Sequence, residues 1–256
     1  MIINWDCLIE LAKLETESID CCVTDCPYRI IAGWVRVVSE DWVDYSKTDP
    51  KWCLNRWRKM VSDWTNCSNK WLKKWENDIV CAVKDWKMFK HNDIKFSDWL
   101  PELFRVMKNG THTYIMINSR NMYELQWEAN KVWFEFQNQL IWAKGNKTPN
   151  KYYMQEFENI LMLRKWPAKN INNMWSSNII KLPNIIWTKV HPSEKPVALM
   201  SYLIKNSTNP WDIVLDLFMW AWSTWIAAKN LWRSFIWIEI DEEYLNIANN
   251  RITNGI

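Results

Sequence analysis

The chain has 256 residues, of which 48% are hydrophobic and 24% are charged, and its formal net charge is +3. These values predict one large domain with a substantial core, and they permit a polyanionic partner without requiring one. No stretch approaches roughly 18 uncharged apolar residues, and no basic region precedes an apolar run at the N-terminus. We therefore expect a cytoplasmic protein with neither a membrane span nor an export signal.

Cysteine usage argues against a metal centre. The seven cysteines fall in the first third of the chain, with no CxxC pair and no histidine at ligand spacing. This pattern predicts reduced thiols and no metal site. The cysteines are Cys7, Cys21, Cys22, Cys26, Cys53, Cys67 and Cys81.

Glycine and tryptophan occur in unusual numbers. Average glycine usage of about 7% would give roughly 18 glycines at this length. Only 4 are present, beside 22 tryptophans. Because the deficit and the excess are similar in size, the positions of the tryptophans become informative.

Short apolar strands alternate with amphipathic helices along the chain, which favours an α/β domain with a mostly parallel sheet. The first elements are a helix over 7–14 and a strand over 19–24. Residues 34–90 lack a clear period and are interpreted as a variable insertion or long functional loop. Ser97 is predicted to cap a helix that ends at Asn109-Gly110.

The middle of the chain returns to regular structure and then becomes irregular from 164 to 191. The predicted elements are a strand over 111–118, a helix over 119–131, and strands over 134–142 and 157–163.

The irregular segment has no acidic residue between Glu158 and Glu194. Such a segment suits contact with a phosphate backbone, where lysine and arginine displace counterions. A solvated loop that lacks acids is the equal alternative. Its basic residues are Arg164, Lys165, Lys169, Lys181 and Lys189.

The C-terminal third contains a βαβ unit. A helix over 197–205 precedes a strand over 213–218, the turn MWAWST, a helix over 223–231 and a strand over 234–241. A nucleotide-like ligand lies over the first turn of such a unit, and an acidic residue at the end of the second strand, here Glu239, accepts hydrogen bonds from ribose hydroxyls.

Tryptophan stands where this turn needs glycine. Glycine permits φ > 0 and close approach of a ligand to the backbone, and Trp220 and Trp222 permit neither. Reading glycine for tryptophan also repairs NPWD, KWP and NWD, whereas Trp99 and Trp142 suit apolar faces. We hypothesise that most tryptophans come from UGA codons that mean glycine in the host. A genuinely tryptophan-rich protein is the rival.

Four motifs together carry a resemblance. TDCPY at 24–28 and FMWAW at 218–222, with HPSEKPVALM between them and Asp6-Cys7 near the start, resemble the β-class amino-methyltransferases of DNA. The segments 91–121 and 164–175 are similar to a phage or prophage branch. The resemblance spans nearly the whole chain. It implies a single domain over 1–256 with a Rossmann-like S-adenosylmethionine-dependent methyltransferase fold.

The tetrad Asp25-Cys26-Pro27-Tyr28 is the expected catalytic centre. An adenine amino nitrogen is a poor nucleophile because its lone pair is delocalised, so the site must hold the amino hydrogens. The Asp25 carboxylate and the Cys26 main-chain carbonyl can each accept one of them, and Pro27 rigidifies the turn. Tyr28 is expected to stack on a base that has left the duplex.

The resemblance also implies the cofactor site. Asp6 and Phe218 are expected at the adenine of S-adenosylmethionine, and Glu239 at its ribose. Ser193 and Lys195 border its methionine end. The tryptophans at 220 and 222 would fill the cleft, so the tryptophan-containing chain is predicted not to bind the cofactor.

The expected activity is adenine-N6 methylation of double-stranded DNA, because the tetrad begins with aspartate where cytosine-directed members more often have serine. Residues 164–190 are the candidate target-recognition segment, and 34–90 stay an alternative. Three competing classes are a cytosine-N4 methyltransferase, a nicotinamide-dependent oxidoreductase and a non-enzymatic DNA binder. A solitary, phage-type modification enzyme is expected rather than a fused restriction system.

Overall fold

A computed structural model describes residues 2–4, 7–27, 94–148, 153–167, 169–185, 194–219 and 222–240. All of them belong to one compact unit formed by Met1–Arg29 and His91–Ile256. The interpretation of 34–90 as an insertion concerns residues outside the described ranges and stays a prediction.

The described residues form one eight-stranded sheet in the order β1-β8-β7-β2-β3-β5-β4-β6. The pairs from β1 to β3 are parallel, β5 is antiparallel to β3 and β4, and β6 is parallel to β4. The strands are β1 Ile2–Asn4, β2 Ile19–Asp25, β3 Met107–Ile117, β4 Glu135–Thr148, β5 Gln155–Arg164, β6 Ile179–Lys181, β7 Ile213–Asp216 and β8 Ser234–Glu239.

Helices cover both faces of this sheet. Alternate residues of β2 point to opposite faces, so Cys22 belongs to one buried cluster and Cys21 and Val23 to the other. The first cluster contains α1, α2 and α3, and the second contains α4 and α5. This confirms the predicted α/β class. The helices are α1 Cys7–Lys13, α2 Phe96–Val106, α3 Met122–Lys131, α4 Val197–Ser207 and α5 Ser223–Asn230.

The prediction that Ser97 caps a helix ending at Asn109-Gly110 is wrong. Helix α2 begins at Phe96, and the Asp98 carboxylate accepts the Lys95 backbone N–H at 3.0 Å. The helix ends at Val106, and Gly110 lies inside β3 with φ +77°. A Cβ there would meet the Pro167 carbonyl oxygen at 2.7 Å. Gly110 therefore serves a close approach between backbones, a signal that local sequence cannot separate from a helix stop.

Tryptophan occupies left-handed backbone at four described positions. Besides Glu17, the non-glycine residues with positive φ are Trp133, Trp211, Trp222 and Trp232, with φ of 71°, 75°, 44° and 62°. A bulky side chain in this region is a strained outlier. In contrast, Trp99 and Trp142 are 0% and 1% exposed in the core, as their apolar context predicts.

Three of these positions lie in motifs that are built around glycine. Trp133 follows the C-cap of α3, where its N–H and that of Phe134 reach Asn130 and Ala129 carbonyls at 3.1 Å, the pattern of a Schellman motif. Trp232 has the same place after α5, with Arg233 N–H donating to Ala228 O at 2.9 Å.

Trp211 is the third residue of a turn that begins at Asn209 and has Pro210 second. The Asp212 N–H donates to Asn209 O at 3.2 Å. A positive φ at the third residue of a turn whose second residue is proline defines a type II turn. Such a turn requires glycine or asparagine at the third residue.

Candidate active site

The parallel strands β2 and β7 end side by side at Asp25 and Asp216. Because carboxyl ends of parallel strands meet at one edge of a sheet, ligand sites of α/β folds lie there. The Thr24 hydroxyl donates to Asp216 Oδ1 at 2.9 Å and joins the two strand ends. The first member of the predicted catalytic tetrad thus lies beside the predicted cofactor strand.

Lys195 approaches Asp25 from the segment before α4. Its Nζ lies 2.8 Å from Asp25 Oδ2. Its backbone carbonyl accepts the Ser223 hydroxyl at 2.5 Å, which ties this segment to the first residue of α5. Lys195 of the motif HPSEKP therefore contacts both β2 and α5, the helix that follows the predicted cofactor turn.

Two further charged residues extend this contact. Lys195 Nζ lies 3.1 Å from Glu158 Oε2, and Lys144 Nζ lies 3.0 Å from Glu158 Oε1. Burial would raise the pKa of the Glu158 carboxyl, but the two ammonium groups and their hydrogen bonds lower it below its usual value. Glu158 is therefore ionised at neutral pH.

Glu158 and Lys144 were not identified from the sequence. The available signal was a charged residue in each of two apolar strand patterns, FENILML and the continuation of β4 beyond Trp142. A charge in a half-buried strand predicts a buried partner, but pattern alone does not say which one.

Asp216 has the opposite electrostatic setting. Burial raises the pKa of its carboxyl to about 7, although hydrogen bonds from Thr224, Thr24 and the Phe218 N–H act to lower it. These hydrogen bonds join the end of β7 to β2, to α5 and to the backbone at Phe218. A structural role at the strand end fits these contacts.

A cavity at this edge brings four of the predicted site residues together, namely Asp25, Lys195, Phe218 and Trp222. Phe218 also packs edge-on against Trp99, with ring centroids 5.6 Å apart. The lining residues are Thr24, Asp25, Met116, Lys195, Met200, Asp216, Phe218, Trp222, Ser223 and Thr224.

Glu239 ends β8, the neighbour of β7, and is buried. It therefore lies at the same sheet edge as Asp216, where the βαβ pattern predicts a ribose-binding carboxylate. Four of the predicted catalytic and cofactor residues lie outside the described ranges: Asp6, Tyr28, Ser193 and Trp220.

The thiol of Cys26 is not a nucleophile in this site. Burial, and next the Asp25 charge, raise the pKa of the thiol well above its usual value. The Sγ lies 3.6 Å from the Met116 carbonyl, so the side chain faces β3. The role predicted for Cys26 needs only its main-chain carbonyl, and it stays a prediction. Pro27, the next residue, is buried.

The predicted DNA-binding residues are divided by burial. Lys165 is buried and donates to the Phe104 and Met107 carbonyls at 3.0 and 2.7 Å, which argues against a phosphate contact. Arg164 pairs with Glu135 at 2.7 Å. Lys169 and Lys181 are exposed. Lys189 lies outside the described residues.

Within the part of the chain that the structure describes, no helix is long and apolar enough to cross a membrane. In the same residues, no group of three or more His, Cys, Asp or Glu side chains is arranged to hold a metal ion.

A family model described as DNA methylase matches residues 19–250. The chain is 27% identical over 275 residues to the Type II methyltransferase M2.LlaDCHI of Lactococcus lactis subsp. cremoris, covering 100% of this chain and 90% of that one. It is 25% identical over 292 residues to the DNA adenine methyltransferase YhdJ of Escherichia coli strain K12, covering 98% and 82%.

Solved structures share the fold. The M1.HpyAVI–SAM complex superposes with a TM-score of 0.61 at 22% identity, covering 98% of this chain and 100% of that one. The cytosine-N4-specific PvuII DNA methyltransferase superposes with a TM-score of 0.62 at 16% identity, covering 100% and 93%. The Rossmann-like methyltransferase fold that the motifs imply is thereby confirmed.

Proposed function

Because this chain belongs to the N6/N4 DNA methylase family, we propose that it transfers a methyl group from S-adenosylmethionine to the N6 amino group of adenine in double-stranded DNA. The observation that carries this proposal is the Asp25 carboxylate at the end of β2. Lys195 holds it at 2.8 Å, and it borders the cavity beside the β7–α5 turn.

The chain's own residues hold the acceptor base. Asp25 accepts one hydrogen of the amino group, and the Cys26 carbonyl accepts the other, which favours a nitrogen whose lone pair is available. Pro27 fixes the turn between them, and Tyr28 stacks on the flipped base. Bound S-adenosylmethionine supplies an electrophilic methyl group, so positioning and exclusion of water are the main tasks of the protein.

Adenine is the proposed base, and cytosine-N4 is the second candidate. Aspartate at the head of the tetrad favours adenine, and a relative is named a DNA adenine methyltransferase. The cytosine-N4-specific neighbour has the same fold, so the fold does not discriminate between the two bases.

The side chains at the sheet edge suit S-adenosylmethionine except at position 222. Glu239 offers a buried carboxylate for ribose hydroxyls, and Phe218 offers an apolar ring for adenine. The Trp222 side chain, however, is buried beside Trp225 and Trp237 and lines the same cavity as Asp25. A ligand that lies against this turn meets an indole where the fold needs bare backbone.

We therefore propose that the active enzyme carries glycine at position 222 and at most other tryptophan positions, because the host reads UGA as glycine. Trp133, Trp211 and Trp232 support this, since each takes a positive φ in a motif that favours glycine. The rival, a degenerate DNA-binding descendant, would carry UGG codons at these positions.

The codons of the gene test this proposal directly. We expect UGA at Trp220, Trp222, Trp225, Trp232 and Trp237 of the βαβ unit, and UGG at Trp99 and Trp142. UGG at all of them would refute the recoding and leave the cofactor turn blocked.

DNA contact is proposed for Lys169 and Lys181, the two exposed lysines of the basic segment. Removing one charge that neutralises a phosphate should reduce the slope of log affinity against log salt by about 0.9. Lys169→Gln and Lys181→Gln, assayed on duplex DNA at several salt concentrations, test this. An unchanged salt slope in both variants would remove the segment from the interface.

Methyl incorporation from labelled cofactor into double-stranded DNA tests the activity, with nucleoside digestion to identify the product. We expect N6-methyladenine, and a loss of about a thousandfold in rate for Asp25→Asn. Asp98→Asn, on the exposed side of α2, is the matched control. No incorporation by the glycine-containing chain would refute the activity, and N4-methylcytosine would change the base.

A further inference from the structure

Four side chains of alternating charge form a continuous chain from the interior of β4 to the catalytic carboxylate. The contacts run from Lys144 to Glu158 at 3.0 Å, from Glu158 to Lys195 at 3.1 Å and from Lys195 to Asp25 at 2.8 Å. Glu158 uses a different oxygen for each lysine. With two positive and two negative charges, this set of four side chains is neutral as a whole.

From this arrangement, and given the proposed function, we propose that Glu158 is a positioning residue for methyl transfer. It holds the Lys195 ammonium in place, and Lys195 in turn fixes the orientation of the Asp25 carboxylate that accepts the amino group of the target base. Glu158 itself touches neither base nor cofactor in this proposal.

The register of the sheet makes this contact possible. The last pair between β3 and β5 joins Ile117 to Asn159, and Glu158 precedes Asn159 in β5. Because β5 is antiparallel to β3, Glu158 lies at the edge where β2 ends. Trp142 of β4 is paired with Glu158, and Lys144 lies close to Trp142, with its Nζ 6.0 Å from the centroid of the indole ring.

Partial burial of the four contacting side chains restricts their movement. The side chains of Lys144, Lys195 and Asp25 are 9%, 12% and 17% exposed, and that of Glu158, held between the two lysines, is 32% exposed. Charged groups with little access to water interact strongly, and each needs its partner. The lowered pKa of Glu158 agrees with a carboxylate held between two ammonium groups.

Sharing Lys195 between two carboxylates has a consequence for Asp25. A lysine with Asp25 as its single anionic partner would follow that carboxylate and compete with the amino group of the base for its oxygens. Glu158 holds the ammonium on the side of Asp25 Oδ2. Its removal should therefore disturb the chemical step more than the binding of either substrate.

The test compares Glu158→Gln with Glu156→Gln in the full-length enzyme with glycine at the proposed positions. Glu156 lies two residues away on β5 and is exposed, so its variant removes the same charge outside the chain of contacts. We expect Glu158→Gln to lower kcat by about 10- to 100-fold while KM for cofactor and for DNA changes by less than about threefold. Glu156→Gln should leave kcat unchanged.

Action through Lys195 is tested by combining variants. If Glu158 acts by way of Lys195, Glu158→Gln should have little further effect on kcat in a Lys195→Met background. The same fold-loss in both backgrounds would overturn the proposal. A rise in KM with unchanged kcat would also overturn it, because it would make Glu158 a binding residue.

Urea unfolding gives a readout that does not need activity. It is measured for the parent, Glu158→Gln, Lys195→Met and the double variant. The effects of Glu158→Gln and Lys195→Met on the unfolding constant should not multiply, because the two side chains share one contact. Multiplicative effects would overturn the inference even if the enzyme is active. If the parent protein transfers no methyl group, the proposed function fails, and this cycle still decides whether Glu158 holds Lys195.

Discussion

Strand β4 and the β7–α5–β8 unit both contain left-handed backbone, but different residue types adopt it in the two regions. In β4, Gly145 has φ +73° and Trp142, three residues earlier, is buried with its Nε1–H donating to Leu182 O at 2.9 Å. In the βαβ unit the same backbone region is occupied by Trp222 and Trp232. The fold thus retains glycine geometry in both places, and only one of them retains the residue.

Tryptophans of at least two kinds therefore occur among the described residues. One kind fills a core position with extended or helical backbone, as Trp99 and Trp142 do. The other kind sits where the backbone has a conformation that L-residues with a side chain avoid. Substitution by glycine should therefore separate the two kinds experimentally.

The largest effect is expected at the cofactor turn. Replacing Trp220 and Trp222 together by glycine should change cofactor affinity from undetectable to measurable, a gain of at least about a thousandfold or about 4 kcal/mol. Titration calorimetry with S-adenosylmethionine measures it. Trp211→Gly is the control, because that turn lies at the other end of β7. Equal cofactor affinity of parent and double variant would erase the distinction between the two kinds.

A core tryptophan should respond in the opposite sense. Trp142→Gly removes a buried indole and its hydrogen bond to Leu182 O, so the free energy of unfolding should fall by about 3 kcal/mol or more. Urea denaturation measures this change. A more stable Trp142→Gly protein would mean that position 142 also belongs to glycine.

Two carboxylates at this sheet edge also differ: Asp216, which ends β7, and Glu158 of β5, which pairs with Lys144 of β4. The pKa of Asp216 is raised to about 7 from a usual 3.8, so the folded state binds a proton more readily than the unfolded state. Its contribution to stability is full below about pH 4 and is lost as pH rises to about 7, with a slope of about 1.4 kcal/mol per pH unit. Glu158 has a lowered pKa, so its contribution is lost as pH falls below its usual range.

Asp216→Asn isolates this difference. Relative to the parent, the variant should gain stability between pH 4 and 7, since an amide has no charge to bury. Urea denaturation across this range measures the gain. A pH dependence identical to that of the parent would show that Asp216 is ionised throughout.

The sequence predicts most of this fold because apolar periods are local. The predicted strand 19–24 begins with β2 and ends one residue before it, and the predicted strand 157–163 begins two residues after the start of β5 and ends one residue before its end. Two features depend on distant contacts and could not be predicted. Gly110 is required by Pro167 across the sheet, and the burial of Lys165 depends on carbonyls of α2 and β3.

The site was predictable in its motifs and not in its supporting charges. Asp25, Lys195 and Phe218 lie in motifs with fixed order, and the cavity unites them. Glu158 joins Lys195 only because β5 is antiparallel to β3, a pairing that the alternation of elements does not specify.

The smallest effect is expected at Trp133. It tests whether a positive φ marks a glycine position outside the βαβ unit as well as inside it. Trp133 follows α3 and precedes β4, outside the βαβ unit, yet its φ is +71° and its side chain is 80% exposed. Trp133→Gly should therefore raise the free energy of unfolding by about 1 kcal/mol, because the strain disappears and little buried surface is lost. Trp133→Ala is the matched control, since it removes the indole and retains the Cβ that causes the strain. If alanine stabilises as much as glycine does, the gain comes from the exposed indole, and positive φ does not identify the glycine positions. If glycine alone stabilises, the glycine class extends beyond the predicted cofactor turn, and left-handed backbone identifies Trp133 as one of its members.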